Sequence, residues 1–201
     1  SLVRPPDFLS QSDGLLGEYR ANIEAVALDM SSAYINEITE QCPNAQVVFD
    51  HFHVIARYGQ EVIDRVRVDA ANRFRNDPDQ RKLIKGSRWL LLRNPESITR
   101  EKDRQHLDDL LSANKELAQV YIMKEHLNHL WHHTDQIAAR AWWHQWYRLA
   151  IDSDIQPLIR FARNLAVHVE GLLSYTRYRL TTGVLEGMNN KIKVIKRIAY
   201  G

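Results

Sequence analysis

Two short apolar runs, each closed by an aspartate, stand ahead of a long region in which hydrophobic positions recur at helical spacing. Ile23–Asp29 and Ala45–Asp50 are brief, rich in Ala, Val and Leu, and bounded by polar or turn residues, the pattern of buried β-strands. Between them Tyr34, Ile38 and Cys42 recur every four residues, Ser31 or Ser32 can cap a helix, and Pro43-Asn44 stops it. Strand, short helix and strand predict parallel neighbours joined by a right-handed crossover. Asp29 and Asp50 would then share the carboxyl edge of the sheet, where open α/β sheets hold their ligands. An aspartate after a strand also suits a helix cap or a turn, and both readings stay open.

From Val54 the period becomes helical. Tyr58, Val62, Val66 and Ala70 mark one face of a helix running to about Arg75, and Asp77-Pro78 breaks it. Arg81–Arg93 forms a second helical stretch, ending at Asn94-Pro95. Its Trp89, set among three leucines, reads as a core residue, although the interleaved cations also suit contact with DNA. Further helices are predicted over 99–111, 115–131, 135–152 and 155–175, with Trp131, Trp142, Trp143 and Trp146 as an aromatic core. Ser1–Asn22 is weakly patterned, with short docking segments at Phe8-Leu9 and Leu15-Leu16. The fold class is therefore α/β and mostly helical.

The stretch Thr181–Arg197 concentrates candidate chemistry. A helix entered after Gly183 advances about 100° per residue, which gathers Glu186, Asn189, Asn190, Lys193, Lys196 and Arg197 on one polar arc. Met188, Ile192, Ile195 and Ala199 fall opposite. One acid among amides and cations suits a metal or phosphate site; the same pattern also serves a solvated amphipathic face.

Charge changes the picture by its distribution. The 201 residues carry a net charge of only +2. Yet residues 1–53 hold 2 basic and 8 acidic groups, residues 54–100 hold 11 and 6, residues 101–176 hold 8 and 10, and residues 177–201 hold 6 and 1. The two basic blocks could face a phosphate backbone. No apolar run approaches the roughly 18 residues of a membrane span and no signal-peptide pattern opens the chain, so a cytoplasmic location is expected. The lone Cys42 excludes an internal disulfide and a multi-cysteine zinc site. His126, His129, His132 and His133 lack zincin spacing and read as solvated or interfacial.

Three motifs carry a family resemblance. Leu185-Glu186-Gly187-Met188-Asn189-Asn190-Lys191-Ile192-Lys193-Val194-Ile195-Lys196-Arg197, continuing to Gly201, resembles the terminal catalytic motif of the ISL-three family of insertion-sequence transposases. Ala27-Leu28-Asp29-Met30-Ser31-Ser32-Ala33-Tyr34 and Val47-Val48-Phe49-Asp50-His51-Phe52-His53-Val54 resemble two further motifs of that family in the same order. The resemblance covers roughly residues 23–201. It implies a partial RNase H-like core that retains two parallel strands and carries a large all-helical insertion. Residues 1–53 would supply the strand-helix-strand half, 54–180 the insertion and 181–201 the catalytic helix.

In that family a carboxylate triad holds two divalent metals, Mg2+ or Mn2+, for DNA strand cleavage and transfer. By motif, Asp29 resembles the second acid and Glu186 the third, both as catalytic metal ligands. Asp50, His53, Asn189 and Asn190 would be auxiliary, with Asp50 a further possible ligand, while Lys193, Lys196 and Arg197 would bind DNA phosphate. Nothing in Ser1–Asn22 matches the family's first acid, so the chain is expected to be a fragment, inactive by itself. The partners implied are transposon-end and target DNA and a second copy of the chain, since a strand lacking its usual neighbour leaves an edge to be covered by a homodimer or by residues 1–22. Two rival readings remain: a non-catalytic helical DNA-binding or assembly module, and a free-standing metal nuclease using Asp29, Asp50 and Glu186.

Overall fold

A computed structural model describes residues 22–28 and 30–179 of the chain. Its contacts divide into two compact units, one built from both flanks of the sequence and meeting the other at residues 54/55 and 168/169. The first is a sheet unit and the second is helical.

The sheet unit opens with β1 (Ala25–Leu28), α1 (Ser32–Gln41) and β2 (Gln46–Phe49). The strands pair in parallel, with Ala25 opposite Gln46 and Leu28 opposite Phe49. The expected order of strand, helix and strand is therefore present. Ser31 stands at the N-cap of α1 with extended backbone, and Cys42, the residue before Pro43, ends the helix because the proline ring excludes helical backbone there. Cys42, Val48 and Phe49 are buried, so the apolar positions of β2 and the end of α1 form this unit's core.

The next helix is continuous from His51 to Arg73, as α2 (His51–Tyr58), a π turn (Gly59–Ile63) and α3 (Asp64–Arg73). The stripe Tyr58, Val62, Val66 and Ala70 is wholly buried. Four-residue steps in an ideal α-helix drift by about 40° each, which would rotate the last of these away from the first. The wider π turn takes up that drift and keeps one face inward.

The helical unit continues with α4 (Pro78–Gly86) and α5 (Arg88–Leu92), followed by α6 (Glu101–Ala113), α7 (Lys115–Asn128), α8 (Gln136–Ile151) and α9 (Gln156–Ala166). Asp77, Asn114 and Asp135 cap α4, α7 and α8, each side chain accepting a bond from the backbone three residues on. Trp143 and Trp146 stack at 5.4 Å, and Tyr58 meets Phe161 edge to face at 5.1 Å. Two of the buried polar tips are satisfied by backbone carbonyls: Tyr58 Oη donates to Val120 O and Trp146 Nε1 to Met123 O, both at 2.9 Å. Of the four tryptophans expected in an aromatic core, Trp131, Trp143 and Trp146 are buried. Trp142 is half-buried and packs among His126, His129 and His133.

Two expectations need correction. The helix expected across 81–93 is broken at Ser87, a buried residue whose hydroxyl donates to Ile84 O at 2.7 Å. That bond competes with the helical ladder and redirects the chain. In consequence Leu90 and Leu91 turn inward, while Trp89, expected in the core, is 42% exposed. The helix expected over 155–175 likewise ends at Ala166, and the chain re-enters the sheet unit as α10 (Val169–Leu173) and α11 (Tyr175–Tyr178).

Candidate functional site

The carboxyl edge of the two strands is the best defined candidate site. Asp50 N donates to Leu28 O at 3.3 Å, so the strand ladder extends one step past Phe49. Leu28, at the end of β1, is thus one backbone hydrogen bond from Asp50.

Asp50 is 1% exposed, and its Oδ1 accepts from Phe52 N at 3.0 Å. This is an N-cap bond at the start of α2, where aligned peptide dipoles also favour a negative charge. The capping role allowed by the sequence is thus realised. His51 Nδ1 lies 3.7 Å from Asp50 Oδ1, and its ring meets that of Phe52 at 3.9 Å and that of Tyr175 at 5.9 Å. His53 is half-buried one turn into the same helix, and Phe52 is 61% exposed at its tip.

The C-terminal flank reaches this edge through α10 and α11. Gly171 lies so close to Phe49 that a Cβ there would fall inside van der Waals contact with ring atoms Cδ2 and Cε2. Only glycine lets α10 lie directly on β2. Four residues later Tyr175 stands beside His51, so the segment preceding the terminal motif is anchored at the strands' carboxyl ends. Neither Gly171 nor Tyr175 stood out in the sequence; a glycine within a predicted helix was the available signal for close approach.

Of the predicted site residues, Asp50 and His53 are brought to this edge. Asp29, Glu186, Asn189, Asn190, Lys193, Lys196 and Arg197 lie outside the described residues. Among the described residues no cluster of three or more His, Cys, Asp or Glu side chains forms a metal site. No helix among them is long and apolar enough to cross a membrane.

Sequence comparison adds the class of protein. The profile of a family described as transposase, of the ISL-three type, matches residues 8–201. Over 179 residues the chain is 49% identical to the transposase for insertion sequence element IS1001 of Bordetella parapertussis, covering 89% of this chain and 44% of that protein. It is 27% identical over 210 residues to the transposase for insertion sequence element IS1557 of Mycobacterium tuberculosis, covering 94% of this chain and 47% of that one. No solved structure matches the chain. The chain belongs to the ISL-three family of transposases. It spans about half the length of the curated relatives it matches.

Proposed function

We propose that the protein containing this chain cuts and joins DNA strands to move an insertion sequence, through an RNase H-like core in which Asp29 and Glu186 are the catalytic acids. The observation that supports this most is the parallel pairing of β1 and β2 with Asp50 N bonded to Leu28 O. The two strands thereby end side by side, and Tyr175 beside His51 anchors the segment preceding the Glu186 motif at that edge.

The donor chemistry fits a hard divalent cation, Mg2+ or Mn2+: the acids offer oxygen ligands, and the lone Cys42 is buried against the end of α1. Two such ions, when bound, neutralise charge on the attacking and leaving oxygens of an in-line phosphoryl transfer. In this reading Asp29 and Glu186 hold them. Asp50 fixes the start of α2 through its cap, and His53 lies on the same turn. Asn189 and Asn190 orient the site, and Lys193, Lys196 and Arg197 hold the phosphates of transposon-end or target DNA. A homodimer completes the working assembly.

The test is strand cleavage of DNA carrying the element's ends, with Mg2+ or Mn2+, by the full-length protein and its Asp29→Asn and Glu186→Gln variants. Each variant is expected to lose cleavage by at least about 100-fold while still binding DNA. Undiminished transposition by Glu186→Gln would reject the catalytic role and favour a helical DNA-binding or assembly module.

A further inference from the structure

The exposed face of α4 and α5 carries chemistry that the cleavage site does not use. Between Arg81 and Arg93 the chain holds five cations, Arg81, Lys82, Lys85, Arg88 and Arg93, and no acid. Lys82, Lys85, Arg88 and Arg93 are exposed. Amid them Trp89 presents 42% of its surface, and the Arg93 guanidinium lies 5.0 Å from its ring centroid. A large aromatic left out of a core that takes its neighbours Leu90 and Leu91 needs a reason, because burying its ring would have been favourable.

The supports beneath this face show that it is held in place. α5 is only five residues long, yet buried Lys124 donates to Leu91 O at 3.0 Å and to Arg93 O at 2.7 Å, gripping its C-terminal end. Asp64 accepts from Arg88 Nε at 2.8 and 2.9 Å and from Arg67 Nη2 at 3.1 Å, and Arg67 in turn donates to Lys85 O at 2.9 Å. The nearby acid Asp64 is thus engaged by two arginines. Among the described residues no acid pairs with Lys82, Lys85 or Arg93.

We infer that Trp89 with Arg93, flanked by Lys82, Lys85 and Arg88, is a stacking platform for an unpaired nucleotide of the DNA on which this protein acts. This rests on the transposition reading. Every base has a π face that stacks on an indole, and phosphates on either side complement the flanking cations. Duplex DNA offers such a surface its backbone and groove edges but no free base face within the stack. The platform therefore distinguishes unpaired from paired DNA. Bases at a nicked or opened strand end would be held there.

The experiment is fluorescence anisotropy of the full-length protein with a labelled single strand of about twelve nucleotides and with the duplex of the same sequence, across a salt series. Trp89→Ala is expected to weaken single-strand binding about tenfold and to leave duplex binding within about twofold, while Trp89→Phe keeps most of the single-strand affinity. Lys82→Ala with Lys85→Ala should weaken both and flatten the salt dependence by about one phosphate contact per lysine. Equal losses on both DNAs for Trp89→Ala, or no loss on either, would overturn the platform while leaving transposition standing. So would a Trp89→Ala effect confined to self-association, which would make this face a protein interface. Absence of all DNA binding by the unmodified protein would instead overturn the transposition reading itself.

Discussion

Replacing Lys124 by methionine removes the charged clamp at the end of α5. Its side chain is 1% exposed, and its ammonium donates to two backbone carbonyls and lies 2.9 Å from Glu125 Oε1 and 4.7 Å from the Tyr121 ring centroid. Burial pushes its pKa below the ordinary lysine value, while Glu125 and then Glu96 oppose that shift, so holding the charge costs the fold something. Methionine escapes that cost and fills similar space. It also strands Leu91 O and Arg93 O and leaves the Glu125 carboxylate without its ion-pair partner. Two lost charge-assisted bonds and a broken, half-buried ion pair exceed the recovered desolvation, for a net loss of about 3 kcal/mol. For a chain of this size that is a fall in Tm of roughly 6–12 °C, measured by circular dichroism or calorimetry. Lys124→Met with Glu125→Gln should recover part of the loss, since the unpaired carboxylate is gone. A Lys124→Met change below about 1 kcal/mol would refute the clamp and with it the claim that α5 is rigidly held.

Gly171→Ala would drive a methyl into the Phe49 ring, and about 1–3 kcal/mol of destabilisation is expected in urea unfolding; Phe49→Leu in the same chain should recover part of it. Asp50→Ala removes the α2 cap and should cost about 0.5–2 kcal/mol, whereas Asp50→Asn retains a capping oxygen. If Asp50→Asn keeps both stability and DNA cleavage, Asp50 is only a cap; loss of cleavage at unchanged stability would make it a metal ligand. Alkaline pH should also unfold the protein. Burial raises the pKa of Tyr58 well above 10.0, and burial followed by Glu125, Glu96 and Asp108 pushes Tyr121 up to about 12. Both hold their protons more tightly folded than unfolded, so their contribution is full below about pH 10 and is lost as pH rises through the folded values. Lys124, shifted down by burial, works in the opposite direction as pH approaches 10.5. A urea midpoint that stays flat between about pH 9 and 11 would count against the buried tyrosines, and Tyr58→Phe should lessen the fall.

The parts of this fold that could be read from sequence are those fixed by local pattern. Apolar runs of four to six residues ending in Asp, with Pro43 between them, leave little choice but a parallel pair. The four-residue stripe from Tyr58 to Ala70 identified a long helix, though not the π turn that lets the stripe stay buried, since nothing in Gly59–Ile63 announces an extra residue per turn. The break at Ser87 was hidden because it depends on one hydroxyl bonding back to Ile84 O, and the fate of Trp89 followed from it. Lys124 gave no signal at all: a lysine within a helix reads as solvated until a partner's carbonyls are seen to need it. In the candidate site, position along the strands was legible, but whether Asp50 capped a helix or made a turn required the geometry of Phe52 N.

The sheet unit draws on both flanks of the sequence, and the 114 residues from Ile55 to His168 stand between them. On the ribosome this sets an order of events. Residues 22–54 emerge with two strands whose covering elements, α10 and α11, do not yet exist, and must wait through the synthesis of the helical unit. Were that intervening chain unstructured, closing it would cost about 4 kcal/mol in loop entropy. Helices built largely from near-neighbour contacts fold quickly, so a prefolded helical unit replaces a long floppy loop by a short one. A stalled nascent chain with its helical unit already resistant to protease, and its sheet unit still cut, would be the signature of that order. The helical unit, on this view, sets the timing of the sheet unit's assembly.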